Sequence, residues 1–282
     1  MASQPGILRP PPLQARSLTF RLVDGGDPRV ALKRLAAGFS LEQGVVGIGL
    51  PLAAALDVRV PGLRAFPSLP LAPATQQALW VLLQGTDRGA LFDGAVAVAD
   101  LLAPGLVLDD ALEPFVYAGG RDLTGYVDGT ANPTGEKAQA TALRPDGSSF
   151  VAVQRWVHDL ATFRGFSQGV QDQTIGRSRA TNEELDDAPT TAHVKRTAQE
   201  SFDPEAFMVR RSMPWSSRLE HGLEFIAYGE SLDRYERVLR RMVGLEDGKV
   251  DALFSFSKPV TGGYFWCPPA QGDRVEVKSL GI

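Results

Sequence analysis

Apolar residues in the first half of the chain recur at two spacings. Ser17–Val23 (SLTFRLV) sets Leu18, Phe20 and Leu22 on one side and Thr19 and Arg21 on the other, the period of a β-strand. GGDP at 25–28 ends it, and Leu32, Leu35, Ala36 and Phe39 then mark one face of a helix. Val45–Leu50 predicts a buried strand, Pro51–Pro73 an irregular connection, Ala78–Gln84 a strand and Arg88–Leu102 a helix, before an extended run toward Tyr117. The predicted order is β-α-β-β-α-β.

The second half repeats that order. Phe150–Val157 is strand-like, and Asp159–Asp172 predicts a helix that Asp159 would cap. Phe207–Ser212 and Gly222–Tyr228 predict strands, followed by a helix over Ser231–Val243 with Leu232, Tyr235, Leu239 and Met242 on one face and Ser231 placed to cap it. Gly263–Cys267 is the last predicted strand. The pattern gives an α+β chain of two tandem ferredoxin-like (βαββαβ) units with antiparallel sheets. Residues 1–16 read as a flexible Pro-rich arm, 17–135 as the first unit, 136–268 as the second and 269–282 as a tail.

Composition narrows the chemistry. The chain of 282 residues has 29 basic and 33 acidic side chains, so it lacks the basic excess of a nucleic-acid binder. Neither of the most apolar stretches, Val45–Leu56 and Ala90–Leu108, runs uninterrupted for the roughly 20 residues of a membrane span. The N-terminal residues lack the apolar core of a secretion signal, which makes a cytoplasmic protein the expectation. The one cysteine, Cys267, excludes an internal disulfide and a Cys-built metal site. Imidazole-dependent metal chemistry must pass through His158, His193 or His221.

Chemistry-bearing residues cluster in a few segments. Gly125 and Gly129 flank Asp128 in GYVDGTANP, at 125–133. This is either a glycine-rich turn with a solvated carboxylate, or a backbone that approaches a flat ligand closely and presents one proton-carrying group. His158 precedes the capping Asp159 and reads as structural, and His221 reads as a surface histidine. His193 sits among small residues in TTAHVKR, either as a structural ring or as a ligand with space beside it. Of the adjacent Arg210 and Arg211, a strand must turn one inward, where it needs an anion or a polar ligand.

These segments resemble the dye-decolourising peroxidases. GYVDGTANP is similar to their GxxDG motif, and QRWVHDL (154–160), IGRSRATNEELDD (175–187), AHVKR (192–196), VRRSMPW (209–215) and DALFSFSKPVTGG (251–263) follow in the family's order. The compact length and absence of a signal resemble the intracellular bacterial B-type subgroup. The resemblance implies one haem b per chain, bound in the C-terminal unit. It makes His193 the iron ligand, with Asp251 accepting its other N–H, and places Arg177 at a haem propionate and Gly129 against the cofactor. Asp128, Arg210 and Ser212 become the distal residues, and Arg211 points away.

The implied activity is reduction of hydrogen peroxide with oxidation of an organic electron donor such as a dye or a phenolic. Trp80, Trp156, Trp215 and Trp266 are candidate electron relays. Haem dechelation with iron release is the alternative reaction, and a non-catalytic haem carrier or sensor the alternative class. Trp215 and Arg218 depart from the pattern of relatives, which implies a changed access channel. Homo-oligomerisation is also implied. Ser279-Leu280-Gly281-Ile282 resembles the start of the peptide that docks some of these peroxidases in encapsulin shells.

Overall fold

A computed structural model describes residues 2–218 and 220–282. Strands are β1 (Gln14–Leu22), β2 (Gly44–Gly49), β3 (Leu79–Gly85), β4 (Leu106–Leu112), β5 (Ser149–His158), β6 (Val209–Arg210), β7 (Met213–Ser217), β8 (Glu220–Gly229), β9 (Ser257–Pro259), β10 (Gly263–Cys267), β11 (Ala270–Gln271) and β12 (Arg274–Val275). Helices are α1 (Pro28–Gly38), α2 (Leu50–Ala55), α3 (Arg88–Leu102), α4 (Gly135–Ala142), α5 (Leu160–Gly165), α6 (Gln168–Ile175), α7 (His193–Arg196) and α8 (Asp233–Met242).

Ten strands form one antiparallel sheet in the order β4-β1-β3-β2-β10-β5-β8-β6, with β7 also on β8 and β9 on β5. The order 4-1-3-2 of a ferredoxin-like unit therefore occurs twice, first in β1–β4 and again with β5, β6/β7, β8 and β10. The units join edge to edge through β2 and β10, at Gly49–Phe265 and Ile48–Trp266.

Right-handed twist accumulates over so many strands and curls the sheet. Four strands separate β4 from β5 in the sheet order, yet Arg155 of β5 forms an ion pair with Asp110 of β4. The rings of Trp80 and Tyr228 come within 6.5 Å across the concave side. Alternate strand residues then fill two cores. Val45, Trp80, Val151, Ile226, Tyr228 and Phe265 pack on the concave face, and Leu18, Ile48, Val81, Ala152 and Trp266 pack beneath the helices on the convex face.

The N-terminal segment is part of this fold, which corrects the expectation of a flexible arm. Gln4 is fully buried, and its side-chain amide donates to the Val46 and Pro268 carbonyls while accepting from the Val46 N–H. An amide so placed continues strand pairing where β10 leaves the edge of β2 open. Arg211 reinforces it by donating to the Leu8 and Arg9 carbonyls. Removing the Gln4 amide strands three buried backbone groups, so Gln4→Ala should cost about 3 kcal/mol in urea unfolding.

The tail is likewise built in. After the β11–β12 hairpin, Leu280 is fully buried and Arg29 donates to the Gly281 carbonyl at 3.1 Å. The predicted helix over 159–172 is two helices, because Ser167 caps a new start and its Oγ accepts from Val170 N. Asp159 caps the first as expected, accepting from Thr162 N at 2.9 Å. Ser231 Oγ accepts from Asp233 N one residue ahead of the α8 cap position. His221, expected on the surface, lies on β8 opposite Ser216 with its Nε2 enclosed.

Glu224 on β8 is buried on the concave side. Burial pushes its carboxyl up to about 7, against the Ser17 hydroxyl and the Arg155 charge, which pull it down. The folded chain keeps this proton while the unfolded chain releases it near 4.5. Its contribution to stability is therefore intact below that pH and is lost as pH rises to about 7. The loss amounts to about 3 kcal/mol. Urea midpoints at pH 4.5 and 8 should show it in the parent chain and not in Glu224→Gln.

Candidate functional site

Alternation along β5 turns Gln154, Trp156 and His158 to the convex side of the second unit, beside Leu223 and Phe225 of β8. Helix α8 stands off this face with Tyr235, Val238 and Met242 inward, leaving a cavity of about 950 Å³ including its open mouth. Asp128, His193 and Arg210 line it together.

His193 opens α7, and three contacts seat that short helix. Gly176, at φ +91°, closes α6 so tightly against it that a Cβ would lie 2.1 Å from Val194 Cγ1. Ala192 is fully buried, its Cβ against Gly176. Arg196 forms a two-pronged pair with Asp247 at 2.7 and 2.8 Å, and its donors hold that carboxyl down to about 2.

Nδ1 of His193 lies 2.8 Å from Asp251 Oδ2. Asp251 is buried, and its other oxygen caps the following turn by accepting from Leu253 N at 2.8 Å. Burial alone would lower the imidazole pKa, but the Asp251 carboxylate outweighs it and the net shift is upward. A carboxylate on Nδ1 fixes the proton there and leaves the Nε2 lone pair for a ligand.

Asp128 rides on a small hairpin. Asp122 N donates to the Tyr126 carbonyl, Asp128 N to the Gly120 carbonyl, and Tyr126 is buried against Phe163. Gly129, at φ +74°, directs its N–H to Asp128 Oδ1 at 2.6 Å. Burial raises the Asp128 carboxyl above its ordinary value, and the Arg210 charge opposes that rise. The Nε of Arg210 is itself buried without a partner. Arg210 faces the cavity and Arg211 the N-terminal segment, the division that strand alternation required.

Two residues that sequence reasoning passed over hold this arrangement. Asn132 takes Arg210 N on its Oδ1 at 2.8 Å and donates to the Arg210 carbonyl at 3.1 Å, clamping β6 to the Asp128 loop. Asp122 anchors that loop to His158 Nε2 at 3.0 Å, while Ser257 takes the other ring nitrogen at 2.7 Å. His158 is thus a structural histidine in the cavity wall. Asn132 lies within the GYVDGTANP motif, which was the available signal; Asp122 had none.

Four residues expected at the site lie outside the large cavity. Arg177 is turned back into its own loop, donating to the Asn182 carbonyl at 3.0 Å with Glu184 at 3.5 Å, and does not line the cavity. Ser212 and Gly129 line a smaller cavity that shares Asp128 and Arg210 with the large one. The Ser212 hydroxyl accepts from Ile226 N at 3.4 Å. Trp215, expected at the access channel, is buried on the concave side, with its Nε1 donating to the Trp156 carbonyl at 3.1 Å.

The chain is similar to known proteins in both sequence and fold. The Dyp-type peroxidase C-terminal family matches residues 119–272. A dye-decolorizing peroxidase from Mycobacterium tuberculosis is 34% identical over 209 residues, 70% of this chain but only 62% of that relative's length. A dye-decolorizing protein from Vibrio cholerae superposes with a TM-score of 0.84 at 30% identity, covering 93% of this chain and 96% of that one. A variant of Rhodococcus jostii DypB in complex with heme gives 0.85 at 29%, covering 95% and 96%. The chain belongs to the Dyp-type peroxidase family.

Proposed function

We propose that the chain is a haem-dependent peroxidase that reduces peroxide at the expense of an organic donor, in the manner of the B-type subgroup. The observation that carries this reading is one cavity holding a carboxylate-braced imidazole, a buried carboxyl and an arginine with an unpartnered Nε. The donor set fits haem b. His193 Nε2 would hold the haem iron, and among the described residues no cluster of three or more His, Cys, Asp and Glu side chains is placed to hold a bare metal ion. The Rhodococcus relative carries heme in a closely similar fold.

Haem supplies the two-electron redox chemistry when bound. The chain supplies the rest. Asp251 draws the Nδ1 proton of His193 and makes the imidazole a stronger electron donor. Asp128 accepts a proton from one peroxide oxygen and returns it to the other. Arg210 directs N–H groups at the oxygen that departs with negative charge. The smaller cavity shares both residues and gives peroxide an approach, with Ser212 on its wall. In this reading Gly129 positions Asp128 through its N–H, and Arg177 plays no part in holding the cofactor.

Absorbance spectra of the purified protein, before and after stoichiometric peroxide, test the proposal. A Soret band that changes within one turnover supports it. An inert band would favour the carrier reading, and metal-free protoporphyrin among the products would favour dechelation. Asp128 and Arg210 favour peroxide cleavage, because a carrier needs neither.

Among the described residues no helix is long and apolar enough to cross a membrane. A cytoplasmic setting and homo-oligomerisation belong to the same proposal, the latter supported by exposed Phe92 and Val96 one turn apart on α3. Shell docking through Ser279–Ile282 requires Leu280 to leave the core. Co-purification with a shell protein, with and without those residues, tests it.

A further inference from the structure

The concave face of the sheet holds a second cavity, about 760 Å³ including its mouth, between β1 and β4 on one side and β5 and β8 on the other. Arg155 and Glu224 line it and stand directly opposite each other across β5 and β8. Opposed residues on one face of an antiparallel pair have Cβ atoms roughly 5 Å apart, close enough for opposite charges to meet. These two do not close on each other. Arg155 turns its Nη2 to Asp110 and lies 5.4 Å from the centre of the Trp215 ring, leaving its Nε buried and unpartnered. Glu224 is 4% exposed, and its Oε2 is buried with no partner either.

A native fold rarely leaves a buried donor and a buried acceptor unmade on neighbouring residues. One hydroxyl satisfies both, because it donates one hydrogen and accepts another. Leu112, Val153 and Phe265 line the same cavity and offer an apolar wall. We propose that this cavity binds a small phenol, its hydroxyl donating to Glu224 Oε2 and accepting from Arg155 Nε, and that the bound phenol is the electron donor of the reaction.

The donor role rests on the peroxidase reading above; the binding site does not. Its position suits the role. Val153 and Arg155 alternate with Gln154 and Trp156, and Glu224 stands between Leu223 and Phe225, so the backbone of two strands is what separates this cavity from the large one. Trp215, against Arg155, is hydrogen-bonded to the Trp156 backbone. Each phenol gives up one electron and its hydroxyl proton, the proton passing to the Glu224 carboxylate and the aromatic leaving as a phenoxyl radical. Two such oxidations supply the two electrons that, with two protons, convert one hydrogen peroxide to two waters.

Calorimetric titration of the haem-loaded protein with 4-methylphenol at pH 8, where the Glu224 carboxyl is ionised, tests the site, with 4-methylanisole as a probe that accepts but cannot donate. A hydrogen bond to a charged group is worth roughly a tenfold change in affinity or more. Glu224→Leu and Arg155→Met should each weaken 4-methylphenol binding about tenfold or more, and the anisole should bind the parent protein about tenfold more weakly than the phenol. Glu224→Leu should also raise KM for 4-methylphenol while leaving the Soret band and the rate of reaction with peroxide unchanged. Equal affinities in parent and variants, or for phenol and anisole in the parent, overturn the site. Weakened binding with an unchanged KM overturns the donor role. A parent protein that takes up no haem overturns the peroxidase reading instead, and the same titration on that protein still decides the site.

Discussion

Replacing His193 with alanine is expected to abolish the histidine-ligated haem spectrum of the purified protein. No second imidazole is placed to substitute: His158 has both ring nitrogens engaged, by Asp122 and Ser257, and His221 lies on β8 outside the cavity wall. The brace gives a graded counterpart. Asp251→Asn keeps an acceptor for Leu253 N but removes the carboxylate charge from Nδ1, so haem should still bind. Loss of such a partner costs about 10–100-fold in metal affinity or activity. Haem titration of both variants, read at the Soret band, checks the pair. A normal five-coordinate histidine spectrum in His193→Ala would remove the residue from the site.

Arg210→Leu should spare haem binding and slow the reaction with peroxide by about 10²–10³-fold, the usual cost of one preorganised donor at a developing negative charge. A second effect separates this role from simple crowding. Burial raises the Asp128 carboxyl, and the Arg210 charge is the chief influence holding it down. Asp128 must be ionised to take the peroxide proton, so the rate falls as pH drops through its pKa. Without Arg210 that pKa climbs further, and the acid limb of the profile moves to higher pH. Arg210→Lys retains the charge and should leave the limb in place. Stopped-flow measurement of peroxide consumption across pH reads both effects, and a limb common to all three proteins would dissociate the two residues.

The strands and helices that carry the site were legible because their patterns are local. Alternation located β5 and β8, the apolar stripe located α8, and adjacency alone required Arg210 and Arg211 to diverge. Motif resemblance supplied what periodicity cannot, the meeting of His193 with Asp251 at 58 residues' separation. Misread features depend on contacts remote in sequence. Gln4 reads as one polar residue in a Pro-rich run, and nothing local signals that its amide completes the edge of β2. Leu280 looks frayed until α1 and the final hairpin enclose it. Arg177 carries the charge suited to a propionate, yet the backbone bridge between Arg177 and Glu184 turns it inward on its loop. Trp215 was placed by its neighbours in sequence, whereas the pleat decides which face receives it.

The narrow junction between β2 and β10 has a consequence for biosynthesis. The first unit can complete its own four strands as soon as β4 leaves the ribosome, but the outer edge of β2 has no strand partner until β10, far later in the chain, is made. A nascent chain therefore displays an apolar, unpaired strand edge throughout that interval, the kind of surface that recruits foreign strands. Gln4 precedes β2 in the chain and reaches this edge, pairing with Val46 before β10 exists. The Gln4 amide thus occupies part of the β2 edge during the interval in which β10 is missing.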